Sequence, residues 1–490
     1  MSLTKVSYSM ITGAVVNVLD CGADRLGVTS SSASFAAAIA ELPNGGIVFV
    51  PQGTYSLTSA VALTANITIL GEGISTILAP TIDNYFYAAS INNLYFEQVN
   101  FLSNKKQLTF TLCNYIQFLN CYGNGGIQNS QGFYFAGCDE VKIINPSFFD
   151  YRDPFYFTKS GTTPCGTIEI LGGSIWQTQH GSGISSPTGV YAVSVKHLIV
   201  HDVVFKNIKP SSDAGSGSIG YCVYEGDGAY GDLESVNVAN CTFLDDDGYS
   251  TYPMVGVLTS LSLRSTVDGC QFTGSFKAFA YGSAHQTIQN CLFDSSWIQT
   301  GASAGVANYP SLSIVGNKFV NIAGAQPLAI QQGPGVVVNH VLIANNFFNN
   351  CDIGTIWLNY VNYAEIIGNV FTAVNTAAHT DDWNQGGVNF YGCEQGLVTG
   401  NTFDNGTTGK MTYGVVSSNV TNAIIVSQNN HFIGMLTSAG KNLLTAPPSS
   451  YPWEQGANIY NWSASSGNPS GWICITAGTP GTWKAMANLA

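Results

Sequence analysis

The chain has 490 residues, of which 45% are apolar, 12% aromatic and only 9% charged, and its formal net charge is −13. Disordered chains combine many charges with few aromatic residues, so this composition excludes disorder and favours a folded, turn-rich protein. The acidic balance disfavours nucleic acid as a partner, because nucleic-acid surfaces need clustered Lys and Arg. The sequence shows no apolar run long enough to span a membrane and no basic segment followed by an apolar stretch at its start. We therefore expect neither a transmembrane helix nor a signal peptide.

The twelve cysteines are scattered, without a CxxC pair or a histidine at metal-binding spacing. Such spacing predicts free, mostly buried thiols from a reducing compartment rather than disulfides or a zinc site. We find no phosphate-binding glycine loop, nucleophile elbow or metal cluster, so no cofactor and no metal are predicted.

The chain is predicted to begin with a linker or attachment segment, residues 1–14. A short amphipathic helix is then predicted over residues 29–42, TSSSASFAAAIAEL, where Ser and Thr precede apolar residues at helical spacing. Such a helix would cover the first coil of a repeating fold and block pairing at its open edge.

One pattern then recurs, in which an apolar stretch leads into Asn or Cys, any residue, and Phe. Weaker copies end at Phe148, Trp176 and Phe205, and clearer copies end at Phe243, Phe272, Phe293, Phe319, Phe347, Phe371, Phe403 and Phe432. The clearer copies are separated by as few as 21 residues (Phe272 to Phe293) and as many as 32 (Phe371 to Phe403). This period indicates a solenoid, and the short β-branched and aromatic runs predict parallel β-coils about 4.8 Å apart.

The residues two positions before each Phe are predicted to form one column along the stack. They are Cys241, Cys270, Cys291, Asn317, Asn345, Asn369, Asn401 and Asn430. Stacked asparagines bond amide to amide, and buried cysteines fit the same column as small fillers. A second strand recurs upstream, as in FYFAGC (133–138), FYFTKS (155–160), VYAVSV (190–195) and YCVYEG (221–226). Residues 15–441 are therefore predicted to form an all-β parallel coil, and the Pro- and Trp-rich residues 442–490 a C-terminal cap or trimerisation module.

The first predicted coils carry VLDCGAD (18–24), NGGIVFVPQGTY (44–55) and ILGEG (69–73). These motifs resemble the opening of the pectate-lyase-like β-helix superfamily, which implies a right-handed, single-stranded parallel β-helix with an N-terminal capping helix. The stretches LTKVSYSMI (3–11) and NPSGWICITAGTPGTWKAM (468–486) resemble segments that flank the β-helix of phage tailspikes.

The tailspike resemblance implies a homotrimer that recognises and depolymerises a bacterial surface polysaccharide, such as capsule, exopolysaccharide or O-antigen. It implies a virion protein that is made in the host cytoplasm and attaches to other tail proteins through its N-terminus, with no nucleic-acid or membrane partner. Hydrolases, lyases and inert adhesins share the fold, so the chemistry must be sought in individual residues.

Glycoside hydrolysis uses two carboxyl groups, and the densest acidic region spans residues 221–234 and 243–252. The catalytic candidates there are Glu225, Asp227, Asp245, Asp246 and Asp247. We expect Glu225 or Asp227 to supply one carboxyl group and one of the three aspartates the other, with the acid and base roles open. Asp and Gly also form turns, which is the alternative interpretation of the same cluster.

Aromatic residues near the predicted turns are candidate sugar platforms: Tyr224, Tyr249, Tyr252, Trp297 and Trp383. Trp176 is expected in the core, because it occupies the aromatic position of the repeat. At Asp150, Arg152 and Asp153 we expect a structural ion pair, in which Arg152 would lower the pKa of its acid partner.

The sequence therefore predicts an endo-acting glycoside hydrolase. A polysaccharide lyase, with a cation to neutralise a uronic acid, and a non-catalytic glycan-binding fibre are the alternatives. A groove between subunits also stays open at this point.

Overall fold

The computed structural model describes residues 13–64, 66–102, 108–126, 131–177, 186–210, 219–226, 234–246, 254–259, 262–280, 284–301, 308–331, 337–377, 386–406, 411, 413–418, 424–433, 443–444, 447, 455–456, 458–461, 465–478 and 481–488. The chain divides into two compact units, residues 1–265 and 266–490. No helix among the described residues is long and apolar enough to cross a membrane.

The first unit consists of short strands, one α-helix and one 3₁₀ turn (Gly73–Ser75) within the ranges described above. In chain order they are β1 (Val15–Asn17), β2 (Leu26–Ser30), α1 (Ser32–Ala40), β3 (Gly46–Phe49), β4 (Gly53–Leu57), β5 (Val61–Ala62), β6 (Ile67–Leu70), β7 (Thr76–Pro80), β8 (Phe86–Ala89), β9 (Asn93–Glu97), β10 (Asn100–Leu102), β11 (Leu108–Thr111), β12 (Tyr115–Leu119), β13 (Tyr122–Asn124), β14 (Gln131–Ala136), β15 (Glu140–Ile144), β16 (Ser147–Phe149), β17 (Asp153–Thr158), β18 (Cys165–Leu171), β19 (Ser174–Trp176), β20 (Thr188–Ala192), β21 (Val195–His201), β22 (Val204–Lys206), β23 (Gly220–Glu225), β24 (Ser235–Ala239), β25 (Thr242–Leu244) and β26 (Met254–Thr259).

Successive strands pass in turn through three sheets, and from β3 onward each coil of the first unit contributes one strand to each sheet. Sheet A contains β1, β3, β6, β9, β12, β15, β18, β21 and β24; sheet B contains β2, β4, β7, β10, β13, β16, β19, β22 and β25; sheet C contains β5, β8, β11, β14, β17, β20, β23 and β26. Strands of adjacent coils pair in parallel, as in Phe133↔Phe155 of sheet C. Parallel connections of this kind are right-handed, and the predicted right-handed parallel β-helix is confirmed.

Helix α1 covers the open end of the first unit, as the sequence predicts, but it is shorter than residues 29–42. Ser31 at its N-terminus makes no side-chain cap bond within the helix, and its hydroxyl instead bonds the backbone of Asp24. Phe35 is fully buried and packs edge-on against Tyr55 and Phe86, with ring centroids 6.0 and 5.6 Å away. The helix therefore closes the apolar interior.

The strands of the second unit follow the same order through three parallel sheets. After β27 (Arg264–Asp268), which spans the boundary, they are β28 (Gln271–Thr273), β29 (Lys277–Ala280), β30 (His285–Gln289), β31 (Leu292–Asp294), β32 (Trp297–Gly301), β33 (Asn308–Val315), β34 (Lys318–Ile322), β35 (Leu328–Gln331), β36 (Val337–Ala344), β37 (Phe347–Cys351), β38 (Ile356–Asn359), β39 (Val361–Ile367), β40 (Val370–Val374), β41 (Gly386–Tyr391), β42 (Gln395–Thr399), β43 (Thr402–Asp404), β44 (Tyr413–Ser418), β45 (Ile424–Gln428) and β46 (His431–Ile433). Beyond them, β47 (Leu443–Leu444), β48 (Asn458–Asn461), β49 (Gly471–Thr476) and β50 (Thr482–Ala485) form a separate mixed sheet.

A buried asparagine ladder runs through the second unit. The side-chain amide of Asn317 donates to Asn346 over 3.0 Å, that of Asn346 to Asn369 over 2.9 Å, and the chain of bonds continues through Asn401 to Asn430. Each side-chain oxygen also accepts the backbone N–H of the preceding member, as between Asn346 and Asn369. Cys291 stands next in the column, and its N–H donates to Asn317. The predicted amide ladder is confirmed.

The predicted column is wrong by one residue at a single position. The ladder contains Asn346, not Asn345, because Asn345 occupies the preceding turn with a φ of +56°. Correspondingly, Phe348 is the buried aromatic residue, with its ring stacked 4.8 Å from that of Phe319. Phe347 is only half-buried and lies 6.0 Å from the Lys318 ammonium.

We expect Asn369→Ala to destabilise the protein strongly, because it leaves the Asn346 amide and the Ile343 carbonyl without their bonds to Asn369. An unpaired buried polar group costs about 1–3 kcal/mol, so two such groups predict a loss of at least about 2 kcal/mol in the free energy of unfolding. Unfolding in guanidinium chloride measures this free energy. The control is Asn362→Ala, which breaks an exposed amide pair with Asn339 and should cost under about 0.5 kcal/mol. Equal losses would contradict a stabilising role for the ladder.

Candidate functional site

Charged and amide side chains gather at the corner of the first unit where strands of sheet B end and those of sheet C begin. Lys206 ends β22, and Asn207 and Lys209 follow it. Asp245 and Asp246 follow β25 in the next coil. Because β22 and β25 are paired in register, the residues after them face each other across one coil spacing. We call these five residues the charged corner.

Lys209 and Asp245 form the interior half of the charged corner. The Lys209 Nζ lies 2.5 Å from the Asp245 Oδ1, and the two side chains are only 2% and 12% exposed. The backbone N–H of Lys209 donates to the Gln177 side chain over 3.0 Å. A buried charge needs such pairing, since an isolated one would be driven to neutralise. The pair therefore fixes the start of the Asp245–Asp246 turn.

Asp246 forms the outer half of the charged corner. Its carboxylate lies 2.9 Å from the Lys206 Nζ, accepts from the Asn207 amide over 3.1 Å, and its backbone N–H donates back to Asn207. The Asp246 side chain is 44% exposed, so its charge faces solvent in a fixed orientation.

A cavity of about 540 Å³ opens beside Asp246. Its walls come from three coils and include Trp176, Gln177, Lys206, Asn207 and Asp246. A few convergent polar groups beside an aromatic ring are typical of a small-molecule or sugar site. The cavity is our candidate functional site.

Trp176 lines this cavity. The prediction that it packs in the core is therefore wrong. In-register pairing puts Ile175 between Phe148 and Phe205 in the buried column. Trp176, the next residue along the strand, therefore points outward, because alternate residues of a strand face opposite sides. Its ring stacks on Phe149, with centroids 5.1 Å apart and planes at 17°.

Asp153 lies at the same corner, three coils before Asp246. The expected ion pair exists, since the Arg152 guanidinium contacts Asp153 Oδ2 at 2.6 and 2.7 Å. Burial nevertheless outweighs the arginine and raises the pKa of Asp153, contrary to the expected lowering. At about 4.8 Å per coil, the two aspartates are about 14 Å apart along the stack, too far to act as one catalytic pair.

The outer face of sheet C carries a column of tyrosines. In-register pairing aligns Tyr134, Tyr156, Tyr191 and Tyr224, which we call the tyrosine column. All four rings are half-buried. Neighbouring centroids lie 4.8–5.3 Å apart, stacked between the first two rings and edge-to-face between the others. Tyr221 packs against Tyr224 at 4.8 Å and extends the aromatic surface toward the start of β23.

Of the predicted sugar platforms, Tyr224 belongs to this column. Sequence reasoning missed the other three tyrosines, although the signal was available. Each repeated sheet C strand has Tyr after its inward aromatic or valine residue, as in FYF (133–135), FYF (155–157), VYA (190–192) and VYE (223–225).

Glu225 is not brought together with Asp245 and Asp246. It ends β23 and is buried, at 2% exposed. The charged corner lies at the opposite end, where the Gly220 position closely faces the Ile208–Lys209 backbone. The two ends of this strand are about 16 Å apart at about 3.3 Å per residue. This separation is larger than the distance of about 6.5–9.5 Å between the two carboxyl groups of inverting glycosidases.

The remaining predicted site residues lie elsewhere. Asp227, Asp247, Tyr249, Tyr252 and Trp383 fall outside the described residues. Trp297 begins β32 in the second unit, where it is half-buried and pairs in register with Lys277. Within the described ranges, no three His, Cys, Asp or Glu side chains are arranged to hold a metal ion.

The sequence of residues 15–150 matches a family model described as rhamnogalacturonase A/epimerase, pectate-lyase-like. This match covers the first coils, the region whose motifs resemble that superfamily. No curated protein is significantly similar to the chain.

Several solved structures are similar. The tailspike of Pseudomonas phage phi297 is 12% identical, with a TM-score of 0.41, over 96% of this chain and 95% of that one. The catalytic unit of a GH87 α-1,3-glucanase from Streptomyces thermodiastaticus is 12% identical, with a TM-score of 0.41, over 91% and 72%. The Streptococcus pneumoniae surface protein and adhesin PfbA is 11% identical, with a TM-score of 0.36, over 86% and 98%. The function of this chain is argued from its own site.

We expect Lys209→Met to destabilise the protein by about 3–5 kcal/mol, because Asp245 loses its buried cation. The double variant Lys209→Met/Asp245→Leu removes both charges and should recover most of that loss. Denaturant unfolding of the wild type, both single variants and the double variant gives the coupling energy. Additive effects of the two single changes would show that the pair is not coupled.

Two aspartates should give pH dependences of opposite sign. Burial raises the pKa of Asp153 above the ordinary 3.8, so its contribution to stability is largest at low pH and falls as pH rises through the raised value. Backbone N–H groups of Thr29 and Leu26 lower the pKa of Asp24, so its contribution is present above 3.8 and lost as pH falls. Raising the pH should therefore shift the stability difference from wild type in favour of Asp153→Asn and against Asp24→Asn. Unfolding midpoints across a pH series measure both slopes, and slopes of equal sign would contradict the assignment.

Proposed function

We propose that the chain binds a polysaccharide along the tyrosine column and cleaves it by endo-glycosidic hydrolysis at the charged corner. The observation that carries this proposal is the presence, in one unit, of an ordered aromatic surface and of a cavity lined by a carboxylate, two amides, a lysine and a tryptophan. The reaction and the substrate class are inferences from these side chains.

The tyrosine column suits an extended glycan. Four rings on four successive coils span about 14 Å, since coils are about 4.8 Å apart. Ring edges and hydroxyls can contact the apolar faces and hydroxyls of several consecutive sugars. A linear polymer lying along the stack would meet equivalent contacts at every coil, which favours binding of a chain over binding of a single sugar.

At the charged corner, Asp246 is the candidate base or nucleophile. Lys206 and Asn207 hold its carboxylate in one orientation beside the cavity. In glycoside hydrolysis one carboxyl group protonates the glycosidic oxygen, while the other activates water or attacks the anomeric carbon. The acid partner is proposed to be Asp247, which follows Asp246 in the sequence, because Asp245 is held in an ion pair by Lys209. Trp176 would pack against the sugar at the cavity wall.

The proposed biological role follows the resemblance of the sequence to phage tailspikes. We propose a tailspike-like receptor-binding protein of a phage virion, a homotrimer attached through its N-terminus, that depolymerises capsule, exopolysaccharide or O-antigen. Residues 3–11 and 468–486, which resemble the segments that flank a tailspike β-helix, support this proposal.

A polysaccharide lyase is the second candidate, and one observation favours it. The Lys206 ammonium lines the cavity beside Asp246. A lyase needs a base to remove a proton next to a uronic acid carboxylate, and a cation to neutralise that carboxylate. Lys206 and Asp246 offer both groups.

The deciding experiment incubates the full chain with purified capsular polysaccharides and O-antigens and sizes the products by mass spectrometry. Hydrolysis predicts shortened chains whose cleavage adds one water per bond. Lyase action instead gives unsaturated ends that absorb near 235 nm. Glycan binding without shortening would contradict the enzymatic proposal and indicate an adhesin.

Matched variants locate the site. Asp246→Asn should abolish cleavage with binding retained, whereas Asp268→Asn, at a half-buried acid bonded to Gln289 and Asn290, should leave both intact. Tyr156→Ala should weaken glycan binding about tenfold, equivalent to about 1.4 kcal/mol. Its control is Tyr95→Ala, from a tyrosine pair on the outer face of sheet A. Full cleavage by Asp246→Asn would exclude the charged corner as the active site.

A further inference from the structure

A serine, a histidine and a glutamate lie side by side on the outer face of sheet A in the first unit, away from the charged corner. His197 belongs to β21, Ser235 begins β24 in the next coil, and the two residues pair in register. The Ser235 Oγ lies 2.9 Å from the His197 Nδ1. At the other ring nitrogen, the Glu234 Oε2 lies 3.6 Å from the His197 Nε2. We call these three residues the serine triad.

The serine triad has the order of groups that activates a hydroxyl as a nucleophile. When the ring proton is on Nε2, the His197 Nδ1 accepts the Ser235 hydroxyl proton and the Glu234 carboxylate faces the Nε2–H. A carboxylate in that position favours this tautomer and stabilises the imidazolium that forms as the serine attacks. A separation of 3.6 Å is longer than a hydrogen bond, and catalytic hydrogen bonds often tighten only when a substrate binds.

The surface around the serine triad is accessible and carries positive charge. The His197 and Glu234 side chains are 41% and 55% exposed. Lys196 precedes His197 in β21, and Arg264 lies in the coil after Ser235, where its backbone N–H donates to the Glu234 carbonyl over 3.2 Å. Both cations are exposed. Negative charge develops on the carbonyl oxygen when a serine attacks an ester, and cations nearby stabilise that charge.

A cavity of about 280 Å³ opens at the start of the same strand. Its lining includes Asn114, Asp139, Thr163 and Lys196, and Lys196 is the chain neighbour of His197. Amide, carboxylate, hydroxyl and ammonium groups can bond the hydroxyls of a sugar, and they suit an apolar acyl chain poorly. We therefore expect the alcohol half of the ester to be a sugar and the acyl half to be small.

We propose that the serine triad hydrolyses small O-acyl esters, such as O-acetyl groups, on sugars. The Ser235 Oγ attacks the ester carbonyl carbon while its proton passes to the His197 Nδ1. The C–O bond to the sugar then breaks, and the sugar oxygen takes the proton from His197, which leaves an acyl-serine. Water attacks the acyl-serine in the same way, releasing the carboxylic acid and restoring the serine. In sum, one ester and one water give one sugar hydroxyl and one acid.

Two partial copies of the serine triad in the second unit provide internal controls. The His285 Nδ1 lies 2.9 Å from the Ser311 Oγ, but the residue before that serine is a proline, which has no carboxylate. The His340 Nε2 lies 3.8 Å from the Glu365 Oε1, but the residue paired with His340 in the next coil is Tyr363 and not a serine. The proposal therefore predicts that Ser235 reacts as a nucleophile and Ser311 does not.

The first test treats the native full chain with a fluorophosphonate, which phosphonylates activated serines, and maps the modified peptides by mass spectrometry. We expect Ser235 to be labelled and Ser311 to stay unmodified. The same treatment should abolish hydrolysis of p-nitrophenyl acetate, a minimal acyl ester. An unlabelled Ser235, or equal labelling of Ser235 and Ser311, would overturn the proposal.

Variants separate chemistry from folding, since all the altered side chains lie on the outer face of the sheet. Ser235→Ala should lower the rate of p-nitrophenyl acetate hydrolysis at least about tenfold, and the matched Ser311→Ala should leave it unchanged. Glu234→Gln should lower kcat at least about tenfold with KM unchanged, because Glu234 positions the ring and does not bind the substrate. Hydrolysis by Ser235→Ala at the wild-type rate would show that Ser235 is not the nucleophile.

Glucose pentaacetate tests whether a sugar can carry the ester. The wild type and Ser311→Ala should release acetate from it, and Ser235→Ala should not. If the wild type hydrolyses p-nitrophenyl acetate but releases no acetate from the acetylated sugar, the assignment of a sugar ester is wrong. These measurements use no polysaccharide, so their outcome is independent of the proposed cleavage at the charged corner.

Discussion

In-register stacking of adjacent coils is the constraint on which the rest of this structure depends. Parallel backbone hydrogen bonds repeat each coil at one spacing, so a residue at a given position lies over its counterpart in the next coil. Inside the second unit, this produces continuous columns, such as the phenylalanine stack with centroids 4.5 Å apart at Phe293–Phe319 and 4.7 Å apart at Phe371–Phe403. The same rule acts on the outer faces, where it creates the tyrosine column. A recognition surface is thus a direct consequence of the repeat that builds the core.

The fold could be predicted because the repeat is carried by core residues, whose types are restricted by burial. The errors are one-residue shifts, and each has a local cause. At residues 345–348 the sequence reads Asn-Asn-Phe-Phe, so two registers satisfy the same Asn-x-Phe pattern. At Ile175–Trp176 two apolar residues compete for one inward position. A shift of one residue moves a side chain to the opposite face of the strand, which is why Trp176 was expected in the core and is found at the cavity.

The candidate site was harder to predict than the fold, because its residues come from the turns, whose lengths vary from coil to coil. The sequence indicated the region after Phe243, where Asp245 and Asp246 lie, and their role in catalysis stays a prediction. It did not reveal that Glu225, close to them in the sequence, would be carried to the far end of β23. It also did not reveal the lysines and amides that come from the preceding coils, since neither Lys206 nor Gln177 belongs to an acidic motif. Proximity across coils depends on register, and register becomes visible only when the coils are stacked.

The Lys209–Asp245 pair bears on function through its energetic cost. Replacing a buried ion pair by apolar residues of similar size is often neutral or stabilising, so stability alone is a weak reason for this chain to bury one. The chain has few charges, at 9%, yet it places two lysines and two aspartates in adjacent turns at a cavity. The buried pair anchors the first aspartate of the turn, and the second then faces the cavity with its carboxylate held by Lys206 and Asn207. An arrangement that fixes the direction of one exposed carboxylate is what a reaction at that carboxylate requires, since catalysis depends on groups held in position before the substrate arrives.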